Sequence, residues 1–184
     1  MIDKPTILYG YIQKEEQAAN AFEVKISFTR DYQELGVAAL EWQNVNASIK
    51  KAFTGLPMRT VHVEVDPKNP EVFADQIFEK IFSNLIDNAI RYGGDQMKTI
   101  RFTYEESETG LRIVCEDDGV GISVEDKKKL FTRGSGKNTG LGWFLSREIL
   151  AITGITITEN VTLGKGARFE IDVPQGMRRI KGAN

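Results

Sequence analysis

A segment of helical period near the middle of the chain carries an unusual polar stripe. Residues 78–92 read FEKIFSNLIDNAIRY, and their apolar positions recur at the spacing of a largely buried helix. At 100° per residue, four polar residues fall within roughly 100° of arc: Asn84, Asp87, Asn88 and Arg91. An ordinary solvated face would use Glu, Lys or Gln, because mid-helix Asn and Asp each cost about half a kcal/mol or more against Ala. The stripe predicts groups that point into a polar pocket, and an exposed amphipathic face is the alternative.

The periodicity elsewhere predicts a mixture of helices and strands. Helices are predicted at 9–35, 43–54, 72–92, just after Ser123 and at 141–153, with a short irregular piece at 37–42. Strands are predicted at 60–65, 98–105, 110–117, 155–160 and 167–173. Several strands are adjacent in sequence, which favours an α+β fold, a two-layer sandwich of a mixed, mostly antiparallel sheet with helices on one face. The long helix 9–35 has a thin heptad seam and needs a partner, either the main body or a second copy of itself.

Composition narrows the class of protein. The 26 acidic and 24 basic residues leave a net charge of −2, so the charge gives no reason to expect nucleic acid or an anionic membrane as a partner. No apolar run approaches about 18 residues, and the N-terminus lacks the pattern of a signal peptide. The single cysteine, Cys115, is predicted to be a small buried hydrophobe in a reducing compartment. We expect a soluble, cytosolic domain.

Three glycine clusters follow the polar helix. DDGVGI at 117–122 follows a strand, GSGKNTGLG at 134–142 precedes a helix, and GKG at 164–166 lies between the last two strands. A glycine-rich loop that opens a helix presents free N–H groups and the positive end of the helix dipole to a phosphate. A carboxylate at a strand end can accept a hydrogen bond from a ligand, and glycines let a flat ring approach the backbone. A hairpin or linker turn is the alternative for any one cluster.

The order of these motifs resembles the ATP-binding catalytic domain of sensor histidine kinases. The polar helix, DDGVGI, Phe131-Thr132-Arg133, TGLG and GKGARFEIDVP correspond to the N, G1, F and G2 boxes of that family and its usual final strand. The wider superfamily includes the ATPase domains of gyrase, mismatch-repair and heat-shock chaperone proteins, and the resemblance covers about residues 59–175. Residues 22–42 also resemble the second dimerisation helix and linker of archaeal members. The resemblance implies a partial dimerisation helix and linker at 1–42, followed by an ATP-binding domain of the Bergerat fold at 43–184.

The resemblance implies that the polar stripe binds the phosphates of Mg²⁺-ATP. Asn88 would hold the Mg²⁺ ion that bridges them, and Asn84, one turn away, would line the same site. Arg91 would contact a phosphate, and Tyr92 would pack on the adenine. Three of these four residues belong to the stripe that the helical spacing singles out.

The resemblance also implies how the base and the lid are arranged. Asp117 would accept a hydrogen bond from the adenine 6-amino group, which favours ATP over GTP. The pattern departs at Ala167, where many relatives carry a small hydroxyl, so a water-mediated contact is not carried over there. The other implied contacts are the pocket floor (Gly119, Gly121, Ile122), the mobile lid (Phe131, Arg133), the phosphate contacts (Lys137, Thr139) and the start of the helix beneath the phosphates (Gly140, Leu141, Gly142). The lid, about 131–139, has almost nothing apolar to anchor it, so we expect disorder without nucleotide.

The chain lacks a good phosphoacceptor. Its single histidine, His62, lies on the alternating strand VHVEV, is followed by Val63 rather than by an acid, and is predicted to face solvent beside Glu64. The domain is therefore not expected to autophosphorylate alone. The acceptor histidine is expected either on a dimerisation helix left out of this sequence or on another protein.

The chain also lacks the residue that would make it a fast hydrolase. Hydrolytic relatives place a glutamate four residues before the Mg²⁺-binding asparagine, to activate the attacking water. That position is Asn84 here, which cannot act as a general base. Glu79 lies five residues earlier, on a different face of the helix. Fast ATP hydrolysis is not expected.

These inferences favour the catalytic part of a cytosolic two-component sensor histidine kinase. It would bind Mg²⁺-ATP and donate the γ-phosphoryl group to a histidine of a dimerisation domain, which would pass it to a response regulator. One alternative is a free-standing serine protein kinase of the anti-sigma-factor type. Another is a non-catalytic nucleotide-binding or scaffold module that binds partners through helix 9–35. The sparse seam of that helix leaves a homodimer open.

Overall fold

Eight strands and two complete α-helices form the part of the chain that the structure describes. The structure is a computed structural model, and it describes residues 40–54, 56–58, 60–75, 78–123, 147, 150–151, 153–160 and 164–180. The predicted helix 9–35, the short helix after Ser123, the lid at 131–139 and most of the helix at 141–153 lie outside these residues. Within 141–153, residues 147, 150 and 151 are helical.

The elements alternate along the chain as an α+β protein. The strands are β1 (Glu41–Asn44), β2 (His62–Val65), β3 (Pro70–Ala74), β4 (Thr99–Ser107), β5 (Gly110–Asp117), β6 (Thr156–Glu159), β7 (Arg168–Pro174) and β8 (Arg178–Ile180). The helices are α1 (Val45–Thr54) and α2 (Phe78–Tyr92), and Gln175–Met177 forms a single 3-10 turn. None of the described helices combines the length and the apolarity that crossing a membrane requires.

The strands form two sheets. The larger sheet has the order β2-β4-β5-β7-β6; β2 and β4 are parallel, and all other neighbours are antiparallel. The smaller sheet has the order β1-β3-β8 and is antiparallel throughout. This arrangement confirms the predicted α+β fold with a mixed, mostly antiparallel sheet.

One core joins both helices to one face of the larger sheet. The buried residues of α2 are Phe78, Ile81, Phe82, Leu85, Ile86 and Ala89. They share a single apolar cluster with Ile49 of α1 and with Ile100 and Phe102 of β4. Phe82 lies at its centre, fully buried and edge-on to both Phe78 and Phe102, with ring centroids 5.0 and 5.9 Å away. The apolar stripe of α2 therefore fixes which way its polar stripe can point.

The opposite face of the larger sheet carries ion pairs. Arg168 of β7 donates to Glu116 at 2.7 Å and to Glu170 at 2.8 Å. Arg112 of β5 donates to Asp172 at 2.7 Å. Because side chains in a strand alternate between the two faces of the sheet, the residues next to these charged positions in β5 and β7 face the core. The sequence pattern of these strands thus matches a sheet whose described helices, α1 and α2, lie on one side.

Three features of the smaller sheet were predicted wrongly or missed. Glu41–Asn44, predicted to be irregular or the start of a helix, is β1. Residues 72–74, predicted as the first turn of the polar helix, belong to β3, and α2 begins at Phe78. Strand β8 was not predicted. The cause is long-range pairing: β3 is hydrogen-bonded on both sides and buries Val72 completely, which outweighs the local helical period.

Two single residues lie as predicted. Cys115 is a free, buried thiol on β5, and burial raises its pKa well above the ordinary value, so it is poorly reactive. His62 is exposed on β2, two residues before the exposed Glu64.

We predict that Phe82→Ala costs about 3–5 kcal/mol of unfolding free energy, because it removes a fully buried ring and leaves a cavity among other rings. Urea unfolding followed by circular dichroism measures the loss. Phe73→Ala is the control, since Phe73 is only partly buried and its ring contacts that of the exposed Trp42 at a tilt. Equal losses in the two variants would contradict the central position of Phe82.

Candidate functional site

The C-terminal end of α2 meets two glycine loops. Val120, in the loop after β5, donates its backbone N–H to the carbonyl oxygen of Gly93, which follows α2, at 3.0 Å. Gly164, in the turn between β6 and β7, donates to the carbonyl oxygen of Val120 at 3.1 Å. The first and third predicted glycine clusters therefore lie together beside the end of the polar helix. The second cluster, 134–142, lies outside the described residues.

Two of these glycines stand where no side chain fits. A Cβ on Gly119 would lie 2.6 Å from both the Cα and the carbonyl oxygen of Gly93. A Cβ on Gly166 would lie 1.7 Å from the carbonyl oxygen of Asp117, and its φ of +82° also disfavours other residues. The glycines thus permit the close backbone approach that brings the three segments together.

Asp117, the last residue of β5, points a half-buried carboxylate into this junction. Its Oδ1 accepts hydrogen bonds from the backbone N–H groups of Gly119 at 2.9 Å and Ala167 at 3.1 Å. Burial raises the pKa of Asp117, and the nearby Asp118 adds to the rise, while the two N–H donors lower it by less. Both hydrogen bonds go to one oxygen, so within the described part of the chain Oδ2 keeps its capacity to accept.

The neighbouring Asp118 has the opposite environment. Its exposed carboxylate accepts hydrogen bonds from the backbone N–H groups of Lys98 at 2.8 Å and Thr99 at 2.9 Å. Slight burial raises its pKa, but the hydrogen bonds from Thr99 and Lys98 outweigh this effect, and the net pKa is lowered. The pKa values of these two adjacent carboxylates are therefore shifted in opposite directions from the ordinary value.

The polar stripe of α2 lies on one face, half-buried at Asn84, Asp87 and Asn88 and exposed at Arg91. Asn88 donates through Nδ2 to the carbonyl oxygen of Asn84 at 2.6 Å, which leaves its Oδ1 facing away from this bond. Arg91 donates through Nε to Asp87 at 2.6 Å, and this hydrogen bond and the charge of Asp87 raise the pKa of the guanidinium.

The remaining predicted residues divide by position. Tyr92 is 50% exposed at the end of α2, and Ile122 packs partly against the core. Gly121 has a φ of +75° and lies against Gly166. Seven predicted site residues lie outside the described residues: Phe131, Arg133, Lys137, Thr139, Gly140, Leu141 and Gly142.

Sequence reasoning missed three features of this junction. Gly93 was given no role in the site, although its carbonyl oxygen holds the loop after β5. Gly166 was recognised within a cluster but given no role, and Asp118 was given none. The pair Gly93-Gly94 after a helix was the one available signal, since a single glycine suffices to end a helix.

Glu79 lies on another face of α2, as predicted. Its carboxylate forms an ion pair with Lys51 of α1 at 2.7 Å. It is therefore directed toward the neighbouring helix rather than toward the stripe that holds Asn84 and Asn88.

The sequence is similar to two known signalling proteins. It is 28% identical over 151 residues to the phytochrome-like protein Cph1 of Synechocystis sp., a match that covers 76% of this chain and 20% of that protein. It is 35% identical over 109 residues to the sensor protein SrrB of Staphylococcus aureus, a match that covers 53% of this chain and 18% of that protein. The matched part amounts to about a fifth of the length of these relatives.

Solved structures share the fold. The mycobacterial sensor histidine kinase MprB superimposes with a TM-score of 0.65 at 18% identity, over 77% of this chain and 100% of that one. The nucleotide-free catalytic domain of histidine kinase ThkA gives a TM-score of 0.62 at 26% identity, over 74% and 99%. The Acinetobacter baumannii histidine kinase AdeS gives 0.65 at 22% identity, over 95% and 86%.

A family model also matches the chain. The model for histidine kinase-, DNA gyrase B- and HSP90-like ATPases matches residues 74–177, which is more than half of the sequence and includes all three segments of the junction. The chain therefore belongs to the family of histidine kinase-, DNA gyrase B- and HSP90-like ATPases and is, as its motifs predict, an ATP-binding domain of the sensor histidine kinase type.

Proposed function

We propose that this domain binds Mg²⁺-ATP in the cytoplasm and donates the γ-phosphoryl group to a histidine of a dimerisation domain, which then phosphorylates a response regulator. The observation that carries the proposal is Asp117. Two backbone N–H groups fix its Oδ1, and Oδ2 accepts no hydrogen bond from the described residues. A half-buried acceptor held in one direction at a glycine-lined junction suits a ligand that offers an N–H donor.

Adenine is the base that this acceptor favours. Its 6-amino group donates a hydrogen bond to a carboxylate, whereas guanine carries a carbonyl oxygen at that position and would repel it. Gly119 and Gly121 would form the floor of the pocket beside Asp117, where the backbone of Gly93 and Gly166 already fills the space that their side chains would need. The half-exposed ring of Tyr92 at the end of α2 supplies an aromatic surface for the base.

The residues present fit a magnesium ion held mainly by the nucleotide. The described residues include no group of three His, Cys, Asp or Glu side chains that would bind a metal by themselves. Mg²⁺ typically keeps several waters and takes few protein ligands beside substrate phosphates. Asn88 would be such a ligand, since its Nδ2 is tied to the carbonyl oxygen of Asn84 and its amide oxygen is left to coordinate. The ion would neutralise phosphate charge.

The role of this chain's residues in transfer is binding and orientation. Phosphoryl transfer relies on positioning and charge stabilisation more than on covalent chemistry by the protein. Asn84 stands where a hydrolase needs a base, and Glu79 is paired with Lys51 on another face. Water near the γ-phosphate would then lack activation, so the phosphoryl group would be kept for a protein acceptor.

We predict that Asp117→Asn weakens ATP binding tenfold to a hundredfold. The substitution removes a hydrogen bond to a charged acceptor, worth about 1.5–3 kcal/mol. Calorimetric titration with ATP and Mg²⁺ measures the change. GTP serves as the comparison, because the amide N–H of Asn can donate to the carbonyl oxygen of guanine and GTP binding should therefore not weaken. An unchanged ATP affinity would place the base elsewhere.

The stability of Asp117→Asn separates this loss from unfolding. An acid with a raised folded pKa contributes stability that is complete below its unfolded pKa and lost as pH rises through the folded pKa. The wild type loses that contribution as pH rises, whereas Asn carries no charge and keeps an oxygen for the N–H groups of Gly119 and Ala167. The variant should therefore unfold at the same or a higher urea concentration at pH 7, and its advantage should shrink toward pH 3.

We predict that Asn88→Ala removes most of the magnesium-dependent part of ATP affinity, roughly tenfold or about 1.4 kcal/mol. Alanine is a better helix former, so α2 should stay intact. Titrations with ATP in magnesium and in EDTA give the comparison, and only the magnesium titration should change. Equal weakening under both conditions would mean that Asn88 contacts the nucleotide itself or supports the fold.

Transfer can be tested with γ-labelled ATP. We expect the chain alone to stay unlabelled and a separately purified, histidine-bearing dimerisation domain to gain label that is lost in acid and retained in base, as phosphohistidine is. Acid-stable label on a serine-bearing partner would instead favour the serine kinase alternative. Failure to bind any nucleotide would favour the scaffold.

A further inference from the structure

Asp118 has no part in the nucleotide contacts proposed above, yet its carboxylate is committed to two backbone donors. It accepts from Lys98 and Thr99, residues twenty and nineteen positions earlier in the chain. Its own N–H donates to the carbonyl oxygen of Thr99 at 3.2 Å. An exposed aspartate has no need of such partners, since water would satisfy it. These hydrogen bonds therefore affect the path of the chain after β5.

These bonds lie at the end of the β4–β5 ladder. The last paired residues are Ile100 and Asp117. Beyond them, Asp118 holds the start of β4 through its backbone and its side chain together, so the chain leaves the sheet only at Gly119. The carboxylate thus takes the place of the strand pairing that stops there, and it satisfies the N–H groups of Lys98 and Thr99 at the start of β4.

The position of Gly119 decides the direction of the Asp117 carboxylate. Gly119 donates to Asp117 Oδ1 at 2.9 Å, and it is the residue directly after Asp118. Beyond it, Val120 is bonded to Gly93 at the end of α2. The loop is therefore fixed on one side by Asp118 and on the other by Gly93. Release of the Asp118 side would let the N–H of Gly119 move away from Oδ1.

We propose that Asp118 is a positioning residue for nucleotide selection, which acts through Asp117 by anchoring the loop after β5 to the start of β4. This inference rests on the proposed function, because it requires Asp117 to contact the base. Asp118 itself touches no nucleotide. Its loss weakens the one contact that distinguishes the 6-amino group and leaves the contacts to ribose and phosphates in place.

A double-mutant cycle tests this action through Asp117. ATP affinity is measured by calorimetry for wild type, Asp118→Ala, Asp117→Asn and the double variant. We expect Asp118→Ala to weaken ATP binding roughly threefold to tenfold in the wild-type background and less than about twofold in the Asp117→Asn background. The same factor in both backgrounds would overturn the inference. An Asp117→Asn variant that binds ATP normally would instead overturn the proposed function.

A second nucleotide separates positioning from a general structural effect. Purine riboside triphosphate lacks the 6-amino group and cannot make the contact to Asp117. Asp118→Ala should leave its affinity within about twofold, whereas equal weakening of both nucleotides would mean that Asp118 only supports the fold. Asp118→Asn keeps an oxygen acceptor and should recover most of the ATP affinity, and it serves the cycle if the alanine variant does not fold.

Asp66 offers a matched control. It also accepts a hydrogen bond from a backbone N–H, that of Lys68 at 2.8 Å, in the loop between β2 and β3. Asp66→Ala should also lower the urea midpoint, since it removes one carboxylate–amide bond where Asp118→Ala removes two. Its ATP affinity should stay unchanged. A matching loss of affinity in this variant would show that ATP binding follows stability alone and would overturn the inference.

Discussion

The close approach of Gly93 and Gly119 is the contact on which the site depends. A methyl group on Gly119 would lie 2.6 Å from the backbone of Gly93, so the helix end and the loop after β5 touch through backbone alone. The hydrogen bond from Val120 to Gly93 holds them in register. This contact sets the distance between the polar stripe, which carries Asn88, and the carboxylate of Asp117. The two halves of the proposed site, for phosphates and for base, are thus joined by one backbone contact.

The core determines where that contact forms. Phe82 and its aromatic neighbours lock α2 against β4, so the helix cannot rotate its polar stripe without opening a fully buried cluster. Strand β5 pairs with β4 along its whole length and with β7 as far as Glu116, and Asp117 lies at its end. The proposed site therefore lies where a buried helix, α2, and a paired strand, β5, both end. Loops on such a scaffold can carry function without carrying stability.

The sequence predicted the parts of this arrangement that local pattern encodes. The polar stripe stands out because α2 is apolar on most of its surface, and β4, β5, β6 and β7 follow from alternation and glycine turns. The smaller sheet was missed because its strands are short and depend on pairing between residues as distant as Glu71 and Arg179. The role of Asp118 was missed for the same reason, since its donors lie about twenty residues away. The resemblance gave a role to Asp117 alone, and the different role of Asp118 follows only from its burial and its hydrogen-bond partners.

The opposite pKa shifts of Asp117 and Asp118 indicate that the two carboxylates have different roles in the loop after β5. The charged form of Asp118 is favoured and its pKa is lowered, because backbone N–H groups donate to the carboxylate and it is exposed to solvent. The surroundings of Asp117 disfavour its charged form, since burial raises its pKa more than the two backbone N–H donors lower it. A carboxylate whose charged form its surroundings disfavour gains most from a ligand that supplies a further donor. The half-buried carboxylate of Asp117, with one oxygen fixed by two backbone N–H groups, is therefore consistent with the proposed ligand, while Asp118 holds the loop that presents it.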